Sequence, residues 1–227
     1  MAVAARRIAA ITQARTAYSV NMFIPRWFTV IERRVVKFLA ILLWCGAAHA
    51  ASLHYWVQPC ADPESRCRPG DSELAEWALA AWQAASDGKL RLDKTADREE
   101  AHIRIYWATA NQGLYGEARP IVVKGVRGAE VYVLPGIVPA GESDTLLRDA
   151  IVYLTCLHET GHALGLPHTA KFADIMYSFQ YGGDITEYFS RYRRSLTTRG
   201  DIRKHSGMSD EDRRRLGEVL GASRVKP

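Results

Sequence analysis

The sequence predicts an α+β fold, and three observations carry that prediction. Alternating apolar and polar residues mark strands at SLHYWV (52–57), KLRLDK (89–94) and HIRIYW (102–107). Apolar residues fall instead at helical spacing in segments opening near residues 72, 144 and 209. The chain has 227 residues, 48% hydrophobic and 24% charged, enough for one soluble domain with a core.

The first 50 residues read as a removable leader. Arg33, Arg34 and Lys37 precede the apolar run FLAILLWC (38–45), and Ala48-His49-Ala50 offers a cleavage site. The run is too short for a helix crossing a bilayer of about 30 Å, so an uncleaved anchor is the weaker reading. Translation starts at Met1 or Met22. Export to the periplasm or exterior follows, with no membrane span in the mature chain. The formal charge of +5 belongs to this leader, which holds seven basic groups and one acid. Residues 51–227 carry 23 basic and 24 acidic groups, a net −1, which argues against a nucleic-acid partner.

Each element follows in order. After the first strand, PCADPESRCRPGD places Cys60 and Cys67 close together among turn formers, and an exported chain can keep them bridged. From Ser72, the positions Leu74, Trp77, Ala78, Ala81, Trp82 and Ala85 make a helix. Ser72 or Asp71 is its expected N-cap and Gly88 lies past its end. In HIRIYW, Ile103, Ile105 and Trp107 share one face. Short strands are expected at GLYGEA, IVVK and AEVYVL. A second helix opens near Ser143 or Asp144 and runs to Leu164, with Leu147, Ile151 and Leu154 as its buried stripe. Cys156 within it is expected to be a small buried hydrophobe. Gly165 is placed to stop this helix. SDED opens the last helix at Ser209.

The stretch HETGHALGLPH (158–168) ends the second helix. His158 and His162, four residues apart, stand one above the other and can grip one metal ion. Glu159 is rotated by about 100°, beside the metal rather than on it. Gly165 lets the chain reverse so that His168 returns as a third ligand. Three protein ligands with an open position are the pattern of a catalytic zinc site. At average residue usage, chance gives the five fixed positions on the order of once in 10⁵ chains of this length.

HETGHALGLPH resembles the HExxHxxGxxH signature of the metzincin zinc peptidases. ADIMY (173–177) supplies Met176 eight positions after His168, a spacing similar to the matrixin branch. AHIRIYW and MSDEDRRRLGEVLG resemble that branch's central strand and closing helix. The resemblance implies a mixed twisted sheet, a long active-site helix, a Met-turn and a C-terminal helix. It implies one domain over 51–227 that hydrolyses peptide bonds, with zinc on His158, His162 and His168 and Glu159 as general base. It also implies a protein or peptide substrate laid along an edge strand, for which GLYGEA (113–118) is the candidate. Tyr177 and Tyr181 are candidates to line a pocket or assist the oxyanion, or are core.

The chain departs from the family at several points. Thr169 and Ser178 stand where matrixins usually have serine and proline. His54, His102 and His205 do not make the histidine-rich loop of a structural zinc, so one ion is expected; calcium is left open. SRCRPGD resembles a cysteine switch but lies after the first strand, where no propeptide is. Residues 178–207 carry Arg191, Arg193, Arg194, Arg199, Arg203 and Lys204, and are expected as a solvated loop, with a lid or acidic-partner site as the alternative. A monomer is expected. The rival to hydrolysis of peptides is a retired homologue that keeps zinc for structure or partner binding; hydrolysis of another substrate is also open.

Overall fold

In the computed structural model of the chain, the described residues are 50–109, 115–136 and 143–222. The leader through residue 49 lies outside them, as do Gly113 and Leu114 of GLYGEA. Five strands form one sheet in the order β2-β1-β3-β5-β4: β1 Ala51–Val57, β2 Leu90–Lys94, β3 Ile103–Trp107, β4 Gly116–Val123 and β5 Val126–Val133. All neighbours are parallel except β4, which pairs antiparallel with β5 at one edge. Four α-helices are described: α1 Asp71–Ala85, α2 Thr145–Ala163, α3 Ile185–Arg193 and α4 Asp210–Ala222. None is long and apolar enough to cross a membrane. The result is a mixed sheet with helices, compatible with the predicted α+β class.

The strand alternation sorts side chains as expected. Ile103, Ile105 and Trp107 are buried, as are Ala129, Val131 and Val133 at the matching positions of β5. This face packs with Leu74 and Trp82 of α1 and Ala150, Leu154 and Leu157 of α2. Trp82 donates its indole N–H to the Leu157 carbonyl at 2.9 Å, tying α1 to α2.

Three readings need correction. The expected short strands GLYGEA, IVVK and AEVYVL are two eight-residue strands joined by a hairpin. Lys124 and Gly125 both take positive φ, 49° and 80°, the pattern of a type I′ turn. Pro120 does not interrupt β4 because an edge strand leaves one side without ladder partners. At α1 the N-cap is Gly70, without a side-chain bond, and neither Ser72 nor Asp71 caps. Asp71 is instead buried against Arg148 of α2, at 2.6 Å from Nη2, and accepts the Arg68 N–H at 2.8 Å. An unpaired buried charge on Arg148 would cost more than a cap contributes.

The third correction concerns residues 178–207, which are not a solvated loop. They hold α3, short 3-10 turns at Phe179–Tyr181 and Arg199–Arg203, and the buried residues Tyr188, Phe189, Tyr192, Leu196 and Ile202. Several of their arginines have structural partners. Arg193 pairs with Asp144 at 2.7 Å, and Arg199 with Glu73 and Asp149 at 2.6 and 3.0 Å.

Other expectations stand. Cys60 and Cys67 are disulfide-bonded, with Cα atoms 5.4 Å apart, and Cys156 is buried and free. Asp144 caps α2, accepting from the Leu146 and Leu147 N–H groups. At the other end the Leu166 N–H bonds Gly161 O and the Gly165 N–H bonds His162 O. With Gly165 at φ 100°, this is a Schellman motif, and it turns the chain back across the helix end.

Candidate metal centre

The reversal after α2 brings the three histidines together. His158 and His162 come from the last turns of α2, and His168 from the returning segment. Their ligand atoms lie within 4.8 Å of one another and could hold a metal ion. His168 Nε2 is 3.2 Å from His158 Nε2 and 3.0 Å from His162 Nε2.

The outer nitrogens fix the tautomers. His158 Nδ1 lies 2.6 Å from the Ile175 carbonyl, and His162 Nδ1 lies 2.8 Å from the Leu166 carbonyl. A carbonyl only accepts, so both Nδ1 atoms carry the proton and both neutral rings present a bare Nε2 lone pair. Burial, reinforced by the neighbouring imidazoles, pushes His158 down to about 4. Burial also lowers His162 and His168. The rings are therefore neutral near pH 7. His168 has at most one proton to share between its two neighbours, so at least one close pair sets lone pair against lone pair. A cation among the three nitrogens removes that conflict. Nitrogens about 2.0–2.1 Å from a tetrahedral ion stand about 3.3–3.4 Å apart, close to the observed spacing. The donor set fits the ion.

Beneath this cluster lies the turn that carries Met176, fully buried. Gly161, between the two helix histidines, has no Cβ, and one built there would overlap Met176 Sδ. The turn is pinned twice. The Thr169 N–H bonds the Met176 carbonyl at 2.7 Å. Asp212 of α4 accepts the Ile175 N–H at 2.8 Å and the Met176 N–H at 3.3 Å. Asp212 also accepts the Ser209 N–H while the Ser209 hydroxyl accepts the Asp212 N–H, a capping box as SDED predicts. One carboxylate thus starts α4 and holds the turn under the histidines. The sequence showed only the first role.

Glu159 is buried but lines the same cleft as the histidines. Burial, with a smaller contribution from the negative charge of Glu117, pushes its carboxyl up to about 8. A cation beside it would bring the value back down. Strand β4 lies directly over it: a Cβ on Gly116 would meet Glu159 Cγ at 2.7 Å and Thr155 Cγ2 at 2.8 Å. The candidate edge strand and the candidate base are therefore adjacent.

The cleft has a volume of about 510 Å³. Leu154, Phe179, Ile185, Tyr188 and Phe189 give it an apolar wall, most of it from the 178–207 segment. Sequence reading missed this wall, although Ile185, Tyr188, Phe189 and Tyr192 have i, i+3, i+4, i+7 spacing after the N-cap Asp184. Tyr177 lines the cleft, but its hydroxyl donates to the Gly182 carbonyl at 2.7 Å. Tyr181 is 58% exposed and is not part of the cleft wall. Cys60, Cys67 and Asp71 also cluster, but the disulfide and the Arg148 ion pair occupy them.

Fold and site together define a class: a mixed-sheet α/β chain with a three-histidine candidate metal centre. No family profile matches the chain, and no curated protein matches it.

Proposed function

We propose that the chain is an exported, monomeric zinc peptidase of metzincin type, closest to the matrixins, cutting peptide bonds within proteins or peptides. One observation carries the reading. Two histidines with their proton side held by carbonyls, a third facing both, and the buried carboxylate of Glu159 meet in a cleft under a sheet edge.

His158, His162 and His168 would hold the ion through Nε2. Bound there, zinc would supply Lewis acidity and make water available as a nucleophile near neutral pH. Glu159 accepts a proton from the attacking water and passes it to the leaving amine. Its burial keeps the carboxylate short of competing water, and the missing Cβ of Gly116 lets β4 lie against it. An edge strand pairs with an extended substrate through main-chain hydrogen bonds, and β4 offers such an edge. The apolar wall then takes one large side chain.

Substitution Glu159→Gln tests the assignment. The side chain keeps its shape and loses its basicity. Zinc content measured by atomic absorption should stay at about one ion per chain, while peptide cleavage falls by at least the 10²–10⁴-fold typical of a lost general base. Full activity in this variant would refute Glu159 as the base. Wild-type protein without bound zinc would refute the whole reading.

A further inference from the structure

The cleft does not end at the histidines. A second recess of about 340 Å³ opens beyond His162, between the β4–β5 hairpin and the Gly165–Pro167 turn. Ala118 and His162 line both spaces. Gly116 borders the first and Pro120 the second, four residues along the same strand. At about 3.3 Å per residue that is roughly 13 Å, so an extended peptide of four or five residues beside β4 reaches both.

The two spaces differ in chemistry. The first is walled by aromatic and aliphatic side chains. The second is lined by Arg127 of β5 and by no carboxylate. Arg127 is exposed, and among the described residues its side chain makes no hydrogen bond or ion pair. Arg119, on the same hairpin, is taken by Glu117 at 2.8 Å. The end of α2 does not account for Arg127 either. The Thr160, Gly161 and His162 carbonyls accept backbone N–H groups, and the Leu166 carbonyl faces His162 Nδ1. A guanidinium at the wall of a recess adjoining the site, with no acid of its own, fits a carboxylate brought by the substrate.

We infer that Arg127 sets specificity, selecting an acidic side chain in the substrate on the far side of the scissile bond from the residue that enters the apolar cleft. This deepens the peptidase reading and rests on it. Arg127 touches the substrate away from the reacting atoms, so its effect is on choice of sequence.

The experiment uses the zinc-loaded full chain and fluorogenic peptides that share one large apolar residue. Glu, Gln or Lys is placed in turn at each of the four positions across the scissile bond. At one position the wild type should prefer Glu over Gln by about five- to tenfold in kcat/KM, less at high salt. The ratio should fall to about one in Arg127→Gln and turn toward Lys in Arg127→Glu. Because each ratio is internal to one protein, partial unfolding of a variant cancels. A wild-type ratio of one at every position, or a Glu preference that survives Arg127→Gln, overturns the inference. The same ratios read as Kd on the Glu159→Gln protein separate the two proposals. An Arg127-dependent Glu preference in binding, with no cleavage by the wild type, overturns hydrolysis alone; no preference in binding overturns the role of Arg127.

Discussion

Gly161 shows how one missing side chain sets the centre. It lies in the middle of a turn of α2, where alanine would ordinarily gain about 1 kcal/mol in helix propensity. Here the added methyl would strike Met176 Sδ and come within 3.0 Å of Trp82 Cζ2. Both neighbours are fully buried, so either must repack to give way. Trp82 is fully buried and held through its indole N–H, and the Met176 backbone is held by Thr169 and Asp212. Overpacking of this kind costs about 1–3 kcal/mol, which outweighs the propensity gain. Gly161→Ala should therefore lower the chemical-denaturation midpoint and weaken zinc binding, since His158 and His162 flank the displaced backbone. A stabilised variant would show that the Met176 turn yields freely.

At the scale of elements, α3 is the part that the sequence hid. Strand β3 was legible because it buries Ile103, Ile105 and Trp107 on one face, which leaves a two-residue alternation in plain view, whereas β4 shows no such alternation and was read as two short strands. The histidine cluster was legible because two of its members sit four apart on one helix and a glycine marks the turn that returns the third. In α3 the apolar stripe was equally regular, yet its arginines masked it. The partner of Arg193 is far away in sequence, at Asp144, and so are those of Arg199 in the 3-10 turn that follows, Asp149 and Glu73. The Asp71–Arg148 pair was hidden for the same reason, since nothing local to either residue announces the other. The role of α3 as a wall can be tested at Phe189, which is buried and packs on Tyr115 and Tyr188 with ring centroids 5.0 and 5.4 Å away. Phe189→Ala should cost about 3–5 kcal/mol in unfolding free energy and raise KM for peptides with a large apolar residue. A solvated loop would give a loss within about 0.5 kcal/mol, so a result that small would return residues 178–207 to the reading first made from their charge.

For the whole molecule, the centre joins parts that are distant along the chain. His158 and His162 belong to α2, His168 to the returning segment, and the Ile175 carbonyl that orients His158 to a turn held by α4. Unfolding scatters all of them, so an ion bound here favours the folded state by mass action. At a free zinc concentration about 1,000 times Kd, the gain is about 4 kcal/mol, or about 8–16 °C in Tm for a chain of this size. Thermal unfolding followed by circular dichroism, with zinc and then with a chelator, measures this difference directly. His168→Ala should remove most of it, because losing one of three ligands raises Kd and so shrinks the gain at the same zinc concentration. Glu159→Gln should retain it, because on the proposed assignment that carboxylate is not a ligand. Equal loss in both variants would make Glu159 part of the coordination sphere, and the proton-transfer role assigned to it would then have no carrier.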